Sequence, residues 1–146
     1  MLEKADTGPF EGIIRIVMRP RADVWRLWTE PAYIEKWFWD PAWNARATFR
    51  AVEGERWRIV SDHASVGGQI TGVSAGERLS FTMRWTGDDH THSVDVRFVD
   101  DAAGGTIVEI SESAFVSAKE QADHVRGWND GLNRLAAISI DSLPQP

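Results

Sequence analysis

The sequence predicts an α+β domain in which an antiparallel sheet of seven strands packs against one long C-terminal helix. Three observations carry this. Ala118, Ala122, Val125, Trp128, Leu132, Leu135 and Ala136 recur at three- and four-residue steps, one apolar stripe on a helix read from Ser117 to about Ile140. Most of the preceding chain reads as short strands separated by turn residues. The overall order is strand, two short helices, six strands, long helix. A helix of that length, about 36 Å at 1.5 Å per residue, needs a sheet to lie across. A long helix over a curved sheet also encloses a pocket.

Each element has a local cause. Phe10 to Met18 is rich in β-branched residues and is closed by Pro20. Arg21 to Thr29 places Val24, Trp25, Leu27 and Trp28 on a short helix. Pro31 cannot continue that helix but suits the first position of another, Pro31 to Lys36. Trp37 to Trp43 is an irregular aromatic segment. Strands are then read at Arg46–Ala51, Glu55–Asp62, Gly68–Ser74, Arg78–Trp85, His90–Val99 and Thr106–Glu112. Turn chemistry separates them at Glu53-Gly54, Ala75-Gly76-Glu77, Gly87-Asp88-Asp89 and Asp100 to Gly105. Leu79, Phe81, Met83 and Trp85 alternate with Arg78, Ser80, Thr82 and Arg84, so one sheet face is apolar and the other wet. Ser117 precedes Glu120 by three residues, the spacing of a capping box.

At 146 residues the chain reads as a single domain over 10–141, with a flexible N-terminus at 1–9 and a tail at 142–146. It has no cysteine, which excludes disulfides and thiolate zinc sites and makes a reducing cytoplasm the expected compartment. The polar, acidic start does not resemble a signal peptide, and no apolar run is long enough to span a membrane. A net charge of −6 argues against a nucleic-acid partner. Thirteen of the sixteen basic residues are arginines, scattered among acids rather than gathered into a patch. Eight tryptophans are the unusual count, and they imply either a bulky core or an aromatic-lined cavity.

Five stretches in order resemble the activator of heat-shock protein 90 ATPase homologue family, within the START-like (SRPBCC, helix-grip) superfamily. They are Pro20 to Trp25; Thr29-Glu30-Pro31 with Ile34 and Lys36-Trp37-Phe38; Gly72-Val73 with Glu77 to Phe81; Gly104-Gly105-Thr106; and His124, Gly127 and Trp128 leading to Leu132 and Leu135. The resemblance covers roughly residues 10 to 140. It implies a seven-stranded antiparallel sheet gripping the C-terminal helix around an apolar cavity, as in START and birch-pollen-allergen proteins. Two departures stand out: Ser74-Ala75-Gly76 replaces the family's usual acidic residues, and the aromatics at 39–43 are richer.

Several motifs have simpler readings. Gly72-Val73-Ser74-Ala75-Gly76 matches a nucleophile elbow, but a strand follows it where that motif requires a helix, so a hairpin is the better account. Asp88-Asp89-His90-Thr91-His92 packs four potential metal ligands into five residues. A site would need further ligands, for which His63 and His124 are the histidine candidates, so no metal is expected there. His92 instead should face inward as a polar group at the cavity. Glu112 reads as a strand-end charge. Gly127 reads as room for a bulky aromatic from the 37–43 segment, and Leu132, Leu135 and Ala136 as the helix anchor.

The leading expectation is a binding module for a small hydrophobic or amphipathic molecule. Its walls would be Trp37, Trp57, Phe81, Met83, Trp85, Val94, Val125 and Trp128, with His92 and Asn129 orienting the ligand and Gln121 near the cavity. No cofactor and no catalytic residue are assigned, and the chain is expected as a monomer or homodimer. Below this ranks a cyclase- or hydrolase-type enzyme using His92, His63 or Glu112. A third reading is a protein-interaction or chaperone-assisting module with an exposed apolar patch around residues 37 to 43.

Overall fold

The computed structural model describes residues 12–139. The expected termini, the start of the first strand at Phe10 and the helix end at Ile140 lie outside the described residues. Strand β1 (Ile13–Val17) leads to α1 (Arg21–Thr29) and α2 (Pro31–Trp37), then a 3-10 turn at Pro41–Trp43. Six strands follow: β2 (Arg46–Thr48), β3 (Arg56–Val60), β4 (Ser65–Ser74), β5 (Arg78–Trp85), β6 (His92–Asp100) and β7 (Thr106–Ser113). Helix α3 (Ala118–Ala137) ends the described fold. All seven strands form one sheet in the order β1-β7-β6-β5-β4-β3-β2, antiparallel throughout.

The sheet has the alternation that the sequence requires. Leu79, Phe81 and Met83 on β5 and His92, Val94, Val96 and Phe98 on β6 are all buried. The segment from Gly72 to Gly76 is a hairpin between β4 and β5, which excludes the nucleophile elbow. Strand β4 begins earlier than expected, at Ser65, because Gly67-Gly68 sits inside the strand instead of ending it. A Cβ on Gly68 would stand 1.9 Å from the Thr82 carbonyl oxygen, so only glycine permits this approach. The register between β4 and β5 shifts between Ile70 and Gly72, a bulge of the kind that increases local twist.

Two helical anchors place α2 and α3 on that concave face. The indole N–H of Trp37 donates to the Leu27 carbonyl at 2.7 Å, tying α2 to the end of α1. Arg134 of α3 donates to the carbonyls of Trp37 and Phe38 at 2.9 and 3.1 Å, satisfying the open C-terminal end of α2. Ser117 accepts from the Glu120 N–H at 3.0 Å and starts α3 as expected. The carboxylate of Glu120 closes only part of the box, because it accepts from the Val116 N–H instead of that of Ser117.

The stripe on α3 is shorter than its sequence period. Trp128, Leu132 and Leu135 are buried, Val125 is half-buried, and Ala118, Ala122 and Ala136 are exposed. Ala136 therefore is not part of the anchor. The glycine that makes room for an aromatic is Gly131, not Gly127: its Cβ position lies 3.3 Å from the Trp37 ring, whereas nothing stands within 4 Å of that position at Gly127. Helix propensity alone favours alanine at both sites by about 1 kcal/mol. Gly127→Ala is thus expected to raise stability by up to that amount. Gly131→Ala should lower it, since Trp37 is locked on both sides. Urea denaturation of the two variants would show opposite signs.

Candidate functional site

A cavity of about 370 Å³ lies between the end of α2, the 3-10 turn, the end of β5 and the middle of α3. Trp37, Phe38, Trp39, Trp43, Met83, Trp85 and Trp128 form its apolar wall. The rings touch in a continuous series, with centroids 5.2 Å apart for Phe38 and Trp39, 5.7 Å for Trp39 and Trp43, and 5.9 Å for Trp39 and Trp85. Asp40, Asp123, His124, Asp130 and Arg134 supply polar groups. Gly127, with no side chain, leaves that stretch of the helix wall open. The indole nitrogen of Trp85 is buried and has no hydrogen-bond acceptor among the described residues.

Of the residues expected at the site, Trp37, Met83, Trp85 and Trp128 come together here. Trp57 and Phe81 instead border a separate void of about 20 Å³, with room for little more than a water molecule. Val94 is buried in the core and Val125 packs partly against it. Asn129 turns towards β1, where Arg15 donates to it at 3.5 Å. Gln121 is half-buried and does not line the cavity. His63 is exposed at the β3–β4 hairpin, its ring 5.0 Å from that of Trp43, and so is not an inward acid or base. Trp39 and Trp43 join the wall instead of forming an exposed patch; Trp39 is only 8% exposed. The exposed apolar side chains are elsewhere, with Ile14, Ile16 and Met18 at β1 and Val99 on β6.

Behind the cavity is a polar cluster whose members sequence reading treated separately. Glu112 is not a strand-end charge: it is 1% exposed. Trp128 donates its indole N–H to Glu112 Oε1 at 2.8 Å, and His124 Nδ1 donates to Oε2 at 2.6 Å. His92 is fully buried, with Nδ1 3.3 Å from Glu112 Oε2 and 3.2 Å from the Ser113 carbonyl. The rings of His92 and His124 lie 4.6 Å apart, and Phe115 packs on both. Beyond them, His90 Nε2 stands 2.7 Å from Glu120 Oε2.

Burial pushes the pKa of His124 down, but the hydrogen bond and charge of Glu112, helped by Glu120 and Asp88, outweigh it and leave the value raised. Burial likewise opposes ionisation of Glu120, yet the Val116 N–H and His90 hold its pKa below the usual carboxylate value. His90 is raised by its hydrogen bonds to Glu120 and Asp89. Chemically, a carboxylate orienting an imidazole at a cavity wall is the geometry of a positioned base. Sequence reading missed Phe38, Trp39, Gly131, Arg134 and Glu120, whose roles depend on partners distant in the chain.

These features define a helix-grip protein of the START-like class with an aromatic cavity under its long helix. The chain belongs to the family described as activator of Hsp90 ATPase homolog 1-like protein, whose model matches residues 19–139. No curated protein matches the chain. Protein CV1439 from Chromobacterium violaceum shares the fold at a TM-score of 0.74 and 19% identity, over 88% of this chain and 94% of that one. DynU16, a putative protein in the dynemicin biosynthetic locus, matches at 0.75 and 22% identity over 86% of this chain and 45% of its own. PFC0360w, an HSP90 activator from Plasmodium falciparum, matches at 0.69 and 13% identity over 86% of this chain and 91% of its own.

Glu112→Gln tests the orienting pair. Gln retains an acceptor for Trp128 but removes the charge that raises His124, so the His124 pKa should fall when followed by NMR titration. A histidine raised above its unfolded value near 6.5 stabilises the fold below that pH. That contribution is lost as pH rises through the folded value. The decline should be flatter in Glu112→Gln.

Proposed function

We propose that the chain binds one compact, largely aromatic and amphipathic molecule in the tryptophan-walled cavity. The observation that carries this reading is the free volume of about 370 Å³ enclosed by five tryptophans, Phe38 and Met83. A volume near the lower end of the roughly 300–1,000 Å³ range of small-molecule sites favours a few fused rings over a two-chain lipid. Flat apolar ligands gain most from such a wall, because indole faces offer wide contact area with few torsions to freeze. Polar groups are few and sit mainly towards the helix side, which suits a ligand with one hydrogen-bonding edge. Membership of a family with a START-like fold supports an internal ligand, and a fold neighbour from the dynemicin biosynthetic locus is consistent with a small organic one.

A second reading, acid–base catalysis on the bound molecule, is favoured by one specific observation. His124 lines the cavity and is oriented from behind by Glu112 at 2.6 Å. This is the base–orienter relation that enzymes use for proton transfer. The reading needs a substrate whose acidic proton comes within reach of the imidazole.

Titration with a panel of planar aromatic, polycyclic and fatty-acyl compounds should quench or shift tryptophan emission with one saturable site, for compact aromatics more strongly than for acyl chains. Gly127→Phe, which fills the open stretch of wall, should abolish the signal while far-UV circular dichroism is unchanged. A panel that moves neither emission nor melting temperature would sink the proposal. For the catalytic reading, His124→Gln should abolish turnover of a bound compound and leave its fluorescence response intact.

A further inference from the structure

The start of β6 and the first turn of α3 face each other across a group of nitrogen and oxygen atoms that the cavity does not use. Asp88, His90 and His92 come from the approach to β6, and Glu120 comes from α3. Their donor atoms all lie within 4.8 Å of one another. Glu120 Oε2 is 2.7 Å from His90 Nε2 and 3.6 Å from His92 Nε2. Bonds of about 2.0–2.2 Å to a tetrahedral ion place its ligand atoms about 3.4 Å apart. The observed spacing brackets that value, so only small side-chain rotations separate the group from a coordination shell.

Both imidazoles are already turned the right way. His92 Nδ1 faces the Ser113 carbonyl at 3.2 Å, which can only accept, so the neutral ring carries its proton there and presents a bare lone pair at Nε2. That Nε2 is fully buried and has no hydrogen-bond partner among the described residues. A buried polar atom left unpaired is costly, and few folds tolerate one without a reason. His90 repeats the arrangement, with Nδ1 3.2 Å from Asp89 Oδ1 and Nε2 aimed at Glu120. A carboxylate or carbonyl on Nδ1 with Nε2 turned inward is the outer-shell pattern of metal-ligating histidines. Glu112, 3.3 Å from His92 Nδ1, adds a second such partner.

We propose that His90, His92, Glu120 and Asp88 bind a divalent first-row transition metal ion, with zinc the best match to the donor set. Two imidazoles and two carboxylates are a borderline set that suits zinc, whereas calcium and magnesium require all-oxygen shells. The ion takes the place of the proton between His90 and Glu120, which leaves to solvent on binding. Glu120 can serve because its other oxygen, Oε1, is the one that caps the helix at Val116. The ion clips the β5–β6 connection to the first turn of α3. Ala118 and Ala122 at this end of the helix are exposed and bury no apolar surface there.

The test uses the full chain after dialysis against a chelator. Zn2+ titrated by calorimetry should bind at one ion per chain, and Co2+ should give the visible absorption of a four-coordinate N/O site. Melting temperature should rise with free Zn2+. His90→Ala should weaken Zn2+ binding by at least about a hundredfold, while Asp89→Asn, which alters only the outer shell, should weaken it about tenfold. If either variant is unfolded by circular dichroism, Asp88→Asn at the rim replaces it, with an expected loss of at least about tenfold. Absence of saturable binding of both ions, or unchanged affinity in His90→Ala, overturns the proposal. Neither outcome bears on the aromatic cavity, whose ligand is read by fluorescence alone.

Discussion

The position of the long helix on the sheet depends on one buried acid. Glu112 lies near the end of β7 with both oxygens cut off from water, and the groups that satisfy it come mainly from α3. A carboxylate stranded in the interior costs several kcal/mol, so the helix must bring His124 and Trp128 to it together. Those residues are four apart and share one face, which fixes both the rotation of the helix and its slide along the sheet. The rest of the helix follows from that. Leu132 and Leu135 fall into the core, Gly131 meets the Trp37 ring, and Arg134 reaches the open carbonyls of α2.

The two halves of α3 therefore do different work. The half from Trp128 onward is held by apolar burial and by the guanidinium fork. The half before it is held by polar side chains, Glu120 to His90 and His124 to Glu112, and carries little buried surface. The cavity opens where the two regimes meet, at Gly127.

Much of the architecture could be read in the sequence because local chemistry decides it. Pro31, the glycines at 54, 76, 87 and 104, and the alternation on β5 and β6 each act within a few residues, and the strand and helix order follows. The exceptions were places where a distant partner overrides a local signal. Gly67-Gly68 looks like a break but lies in a strand, paired on both sides, where the Trp57 and Thr82 carbonyls come too close for any other side chain. For the site, period alone put Met83, Trp85 and Trp128 on the faces that line the cavity, but it put Phe81 and Val125 on the same faces, and these do not line it. The joining of Glu112 to His124, and of His90 to Glu120 thirty residues away, was not recognisable from period. Glu120 in particular is explained locally by its capping role, which hides its second oxygen.

The wall of the cavity is also the surface of the core. Trp37 packs on Trp28, which stacks on Trp128, and that series runs on through the aromatic segment without a gap. A change of ligand preference made by altering these rings would be felt as lost stability, so the wall has little freedom to drift. Asp123 and Asp130 on the helix rim are not part of that core. In related proteins with this architecture, divergence in what is held should therefore be written first in the rim charges, with the indole lining inherited nearly intact.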